Sequence, residues 1–144
     1  MVNIKGLFKS YNKKNVIDDV SLTVEKGTLT SFIGPNGAGK STLISMISRL
    51  IVKDEGEITI DGEDISHVKS NDMAKKISIL KQSNALNLRL TVRELVSFGR
   101  FPYSQGKLKA EDIVKVDEAL AYMELEDMQD KYLDQLSGGQ RQRA

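Results

Sequence analysis

The chain has 144 residues, 40% of them hydrophobic and 28% charged, the composition of one globular domain with enough apolar side chain for a core and little room for disorder. Its 21 basic and 20 acidic residues leave a net charge of +1, which argues against a nucleic-acid-binding surface. With no cysteine it has neither a disulfide nor a thiolate metal site, which suits the cytosol, and no apolar run approaches the roughly eighteen residues of a membrane span.

Val2, Ile4 and Leu7-Phe8 predict a first strand. Val20-Ser21-Leu22-Thr23-Val24 alternates apolar and polar residues before a turn at Glu25-Lys26-Gly27, so two antiparallel strands are expected ahead of residue 28. Tyr11 lies between them in a polar stretch that gives an aromatic no periodic reason to be core. It either closes a hairpin at the surface or stacks on a purine.

Residues 29–33 form an apolar run that reads as a further strand, and residues 43–50 read as a helix. Between them stands Gly34-Pro35-Asn36-Gly37-Ala38-Gly39-Lys40-Ser41-Thr42. The pattern is G-x-x-x-x-G-K-[ST], in which glycines let the backbone curl so that successive N–H groups point at one anion. Lys40 is placed to reach the β- and γ-phosphates as a compact cation, and the Ser41 hydroxyl to coordinate Mg²⁺. The helix beginning near Ser41 adds unpaired N–H groups and a positive dipole end. A glycine-rich turn without a ligand is the plainer reading, but the strand-loop-helix context is what the motif requires, so a nucleoside triphosphate with Mg²⁺ is the expected ligand.

Leu43, Ile44, Ile47, Leu50 and Ile51 fall on helical spacing and are expected in the core, the helix stopping before Asp54-Glu55-Gly56. Glu57-Ile58-Thr59-Ile60 predicts a short strand followed by an Asp61-Gly62 turn. Residues 72–76 predict a short helix, and Ile77-Ser78-Ile79-Leu80 a buried strand ending near Gln82, whose amide would then sit at a parallel strand's carboxyl end, where such sheets bind ligands. His67, the only histidine, reads as a surface residue.

Thr91-Val92-Arg93-Glu94 has the spacing of a capping box opening a helix that closes at Gly99. Residues 100–109 read as an irregular loop. Ile113, Val116, Leu120 and Met123 then stripe one face of a second helix, with Glu111, Asp112, Lys115, Asp117 and Glu118 around the rest. The chain closes on Leu136-Ser137-Gly138-Gly139-Gln140, where Ser137 and Gln140 again have capping-box spacing and two glycines leave the first-turn N–H groups uncovered. Two anion-binding helix starts suggest one triphosphate held from two sides.

With its unaltered LSGGQ signature at residues 136–140, the sequence resembles the ATP-binding subunits of ABC transporters over its whole length. The resemblance implies an α/β fold, the P-loop NTPase of ABC type, with an N-terminal antiparallel β part, an incomplete parallel core and a helical subdomain, divided as residues 1–83 and 84–144. It makes residues 34–42 the Walker A loop that binds ATP, Tyr11 the aromatic stacked on adenine, and Gln82 the glutamine that touches Mg²⁺ and the attacking water and links the site to the membrane partner. It also implies a head-to-tail dimer, in which Ser137, Gly138, Gly139 and Gln140 of one subunit bind the nucleotide of the other, Ser137 and Gly139 clamping the γ-phosphate held by its Lys40. Closure would then be coupled to ATP by bridging contacts.

The run Leu90-Thr91-Val92-Arg93-Glu94-Leu95-Val96-Ser97-Phe98-Gly99-Arg100-Phe101-Pro102-Tyr103 resembles importers of iron-siderophore complexes, haem or cobalamin. This implies a peripheral subunit on the cytoplasmic face of the membrane, bound to integral permease subunits and never touching the solute. A subunit of this family goes on to a Walker B aspartate, a following glutamate, a D-loop and a switch histidine, none of which is present here. The chain is therefore expected to be truncated and to hydrolyse ATP negligibly by itself. The same loss is expected to strip residues 29–33 of a sheet neighbour. The rival readings are a non-hydrolysing nucleotide-binding or interaction fragment, and a soluble ABC ATPase, which the absence of a basic arm or long coiled-coil insertion disfavours.

Overall fold

The computed structural model describes residues 1–80 and 89–144. They form two compact units, Met1–Ile79 and Leu80–Ala144. The expected division after residue 83 falls outside the described residues, as does Gln82.

The first unit is built on a four-stranded antiparallel sheet in the order β2-β1-β3-β4, formed by β1 (Val2–Tyr11), β2 (Lys14–Val24), β3 (Glu55–Ile60) and β4 (Glu63–Asp64). Both turns follow from local chemistry. Asn12 and Lys13 take left-handed angles of +50° and +63°, and Asp61 and Gly62 take +50° and +84°, as a two-residue hairpin of matching twist demands. β1 is central, Ile4 lying opposite Leu22 on one side and Ile58 on the other.

Ile4 and Leu7 are three residues apart and on strict alternation would face opposite sides of the sheet, yet both are buried. A bulge resolves this. The register slips between Ile4 and Leu7 around Gly6 (φ +53°), whose N–H donates to Ser21 Oγ at 2.8 Å. Gly56 on β3 crosses the bulge so closely that a Cβ there would stand 2.3 Å from the Gly6 carbonyl oxygen. No other residue fits.

Helix α1 (Lys40–Ile47) lays Leu43 and Met46 into the core with Ile4, Leu7, Ile17, Ile58, Ile60, Ile65 and Met73, the last from the short α2 (Ser70–Ala74). Of the expected core stripe, Ile47 and Ile51 pack partly, while Ile44 and Leu50 remain about half exposed. The helix ends sooner than periodicity suggested because Arg49 turns left-handed (φ +58°), with Leu50 N–H donating back to Ser45 O at 2.8 Å.

The strands expected at 29–33 and 77–80 do not form. Leu29 and Ile33 are 96% and 94% exposed and Leu80 is 81% exposed, while Phe32 and Ile77 touch the core. A parallel strand buried on both faces needs neighbours on both edges, and no parallel pair occurs among the described residues. An apolar run specifies burial; it does not supply the partner.

The second unit buries Val92, Val116, Leu120, Leu125 and Leu133. Thr91 opens α3 (Val92–Phe98) with the expected capping box: its N–H donates to Glu94 Oε2 at 2.7 Å and its Oγ1 accepts from Glu94 N–H at 3.2 Å. The Thr91 N–H holds the Glu94 carboxyl below its ordinary range. Residues expected as an irregular loop include a further helical turn, α4 (Phe101–Ser104), with Pro102 near its start, where its missing N–H costs nothing. Helix α5 (Ala110–Tyr122) follows, and Leu90 O accepts from Leu133 N–H at 3.0 Å to tie the unit's entry to its later part.

On α5 the polar face breaks at Asp112, which is 1% exposed, while Ile113 of the expected apolar stripe is half exposed. The Asp112 carboxylate accepts from Lys109 N–H at 3.0 Å and from Arg100 Nε at 2.9 Å. The Lys109 amide, with the Arg100 guanidinium behind it, holds this carboxyl below its ordinary range.

A carboxyl depressed in the fold contributes stability that is complete above its unfolded pKa of about 3.9 and is lost as pH falls through the lower folded value. Thermal melts should therefore show the wild type losing stability below about pH 4 more steeply than Asp112→Asn, which lacks this contribution at every pH. Identical acid limbs would count against the pair. Hydrogen exchange tests the missing strand: amides of residues 29–33 should exchange with little protection while those of β1 and β3 are slowest, and protection at 29–33 would contradict the structure.

Candidate functional site

The loop of residues 34–42 is fixed by two glycines with different duties. Gly37 (φ +83°) lies in open space, so its lack of a side chain serves backbone conformation alone. Gly39 (φ +83°) is also the N-cap of α1, and a Cβ there would stand 2.6 Å from Val16 O and 2.8 Å from Ile17 Cδ1. The loop thus rests on β2. The first helical bond runs from Leu43 N–H to Gly39 O at 2.9 Å, and among the described residues no side chain caps the N-terminus of α1.

Lys40 folds back along the loop, its ammonium donating to the carbonyls of Gly34 and Pro35, each at 2.8 Å. Ala38 N–H donates to Pro35 O at 3.3 Å. This makes a cradle with a cation at its side and uncapped amides at its base, while Gly37, Ala38 and Ser41 are exposed. The donor set fits a polyanion, and the Ser41 hydroxyl is a suitable oxygen ligand for a hard cation such as Mg²⁺.

Tyr11 ends β1 opposite Lys14, is 45% exposed, and has Lys9 Nζ 5.3 Å from its ring centroid. Its hairpin reaches the loop through Val16, two residues beyond Lys14. Gln82, expected to carry water and metal contacts, lies outside the described residues. His67 is exposed, as expected, and no cluster of three or more His, Cys, Asp or Glu suited to a metal occurs among the described residues. An open groove of about 730 Å³ between β4 and α2, lined by Glu63, His67, Lys69, Asp72 and Lys76, contains none of the loop residues.

In the second unit Ser137 is the N-cap of the short helix α6 (Gly138–Arg143). Its N–H donates to Gln140 Oε1 at 3.0 Å and its Oγ accepts from Gln140 N–H at 3.3 Å, the reciprocal arrangement that the spacing of the two residues predicts. Gly138 and Gly139 are exposed, with nothing near the position of a Cβ.

Sequence reasoning missed Val16 and Ile17, which back the loop, because a close backbone approach leaves no trace in the residue type of the backing strand.

Residues 17–144 match the family model described as ABC transporter. The petrobactin import ATP-binding protein YclP of Bacillus subtilis (strain 168) is 62% identical over 144 residues, and the petrobactin import ATP-binding protein FatE of Bacillus anthracis 49% identical. The whole chain aligns with each but spans 57% and 58% of their lengths. Among solved structures, a dimeric ATP-binding cassette in a post-hydrolysis state, bound to ADP and Pi, superimposes with a TM-score of 0.82 at 30% identity, covering 99% of this chain and 66% of that one.

The two glycines should respond differently to alanine. Gly37→Ala should cost about 1 kcal/mol, the strain of a left-handed alanine. Gly39→Ala adds a clash with a backbone carbonyl and should cost about 3 kcal/mol, read from the urea midpoint of the first unit. Equal losses would show that Val16 does not press on the loop.

Proposed function

The chain belongs to the ABC transporter family, and from that premise we propose that it binds MgATP at residues 34–42 as an energy-coupling ATPase subunit of an importer for iron-chelate, siderophore-type cargo. The observation that carries the ATP reading is the cradle itself: Lys40 folded onto the carbonyls of Gly34 and Pro35 beside the uncapped start of α1. The cargo reading is supported by the relatives named for petrobactin import, and by a ferric enterobactin transport ATP-binding protein of Escherichia coli (strain K12), 38% identical over 136 residues.

Each residue then has a role. The amides at the base of α1 and the Lys40 ammonium neutralise phosphate oxygens, Ser41 supplies a hydroxyl to Mg²⁺, and Thr42 backs it from the next position. Tyr11 offers a half-exposed ring to the adenine. Gln82 is assigned contacts with Mg²⁺ and water. Ser137, Gly138, Gly139 and Gln140 are assigned to the γ-phosphate held by a second subunit, with Ser137 and Gly139 as the donors.

Bound MgATP supplies the phosphoanhydride whose cleavage drives the cycle. Residues 34–42 contain no carboxylate and no histidine, so the cradle binds and polarises but has nothing to accept a proton from water. The partners proposed are a second ATP-binding subunit paired head to tail and integral permease subunits, with this chain at the cytoplasmic face. No helix among the described residues is long and apolar enough to cross a membrane.

Calorimetric titration of the 144-residue chain with MgATP should show binding that weakens about 10- to 100-fold in Lys40→Ala, the worth of a charge-assisted contact to phosphate. A phosphate-release assay should show negligible turnover in both. Unchanged affinity in Lys40→Ala would remove the cradle as the site, and Lys40-dependent turnover would mean that these residues position water themselves.

A further inference from the structure

Helix α6, which opens with the signature residues, spans only six residues, far too short to hold itself in water. Its capping box is internal to its own first turn, so Ser137 and Gln140 fix the shape of that turn and leave its direction open. Leu136 and Ala144 pack partly against the core of the second unit. One directional tie is made by Arg143, whose Nη1 donates to Met123 O at 3.3 Å and to Glu124 Oε2 at 3.1 Å.

Both acceptors sit at the end of α5, where the helix leaves carbonyls without intrahelical partners and carries the negative end of its dipole. Met123 is the C-cap of α5, and Glu124 turns the chain through a left-handed angle of +55°. The guanidinium therefore clips the far end of α6 to a terminus that is itself well defined.

Leverage makes the clip matter. Six residues of helix span about 9 Å, so freeing the Arg143 end to tilt by about 20° about the helix centre carries Ser137 roughly 1.5 Å, half the length of a hydrogen bond, against the partial packing of Leu136. The two halves of the clip are unequal, because the Glu124 side chain is 85% exposed and its attraction is screened, whereas the Met123 carbonyl is a fixed backbone point.

We propose that Arg143 is the positioning residue of the signature: by binding the Met123 carbonyl it aims Ser137 and Gly139 at the γ-phosphate held by a second subunit. The inference rests on the assignment of Ser137 and Gly139 to that phosphate made above. Arg143 is partly exposed and outside the buried core, so its truncation opens no cavity there.

The test compares Arg143→Ala, Arg143→Lys and Glu124→Gln with the wild-type 144-residue chain. Amide exchange without nucleotide should speed up about tenfold at residues 138–141 in Arg143→Ala and stay unchanged at Val116 and Leu120, the effect of losing one charge-assisted bond. Sedimentation in MgATP should show self-association weakened about tenfold in Arg143→Ala, with the monomer's ATP affinity at the Lys40 loop, titrated below the association range, unchanged. Arg143→Lys, which keeps a donor, should recover most of the loss, and Glu124→Gln should match the wild type.

Unchanged exchange at 138–141, or unchanged self-association, in Arg143→Ala overturns the proposal. If the wild type binds ATP but never associates, the assignment of the signature fails and takes the proposal with it. The exchange data separate this outcome from a failure of the clip.

Discussion

The near-contact between Gly39 and the backbone of β2 is the constraint on which the first unit of this chain depends. A carbonyl oxygen 2.6 Å from where a Cβ would stand admits no side chain, so the loop lies directly on the sheet. The sheet in turn keeps its place because β1 bulges at Gly6 and Gly56 lets β3 cross that bulge, turning both Ile4 and Leu7 inward against Leu43 and Met46 of α1. Helix α1 begins at the glycine that touches the sheet. The first amides of α1 and the apolar core are therefore two ends of one chain of packing, and glycine is required at each close backbone crossing.

What was legible in the sequence follows from the range over which each signal acts. The Asp61-Gly62 turn and the boxes at Thr91 and Ser137 are local chemistry, settled within four or five residues of backbone, and the structure has the turn and both boxes where the spacing placed them. The runs at 29–33 and 77–80 have the composition of central strands but depend on neighbours, and among the described residues no strand pairs with either. Asp112 was misread for a related reason. Periodicity placed it on the polar face, but its position three residues after Lys109 lets it reach back to that N–H while Arg100 covers it, so an aspartate is buried where the stripe predicted solvent. Ile44 and Leu50 show the converse: helical spacing finds a stripe but not how much of it a small core can cover.

The two helix starts assigned to phosphate are built differently, and the difference bears on how each can work. Among the described residues no side-chain cap bond closes the first turn of α1, whose N-cap is a glycine, so its amides are open to an external oxygen. The first turn of α6 is already satisfied in part, since Ser137 Oγ accepts from the Gln140 amide and the Gln140 side chain accepts from the Ser137 amide. A hydroxyl that accepts one bond still owns a proton, and it can donate that proton to an anion without giving up its cap. The α1 cradle is thus suited to hold a phosphate continuously, whereas under the proposed assignment Ser137 would gain one bond when a phosphate arrives and lose it when the phosphate leaves, with the helix start intact in both states. That asymmetry is what a contact needs if it is to be made and broken once per cycle, and it places the burden of aiming Ser137 on whatever holds the other end of α6.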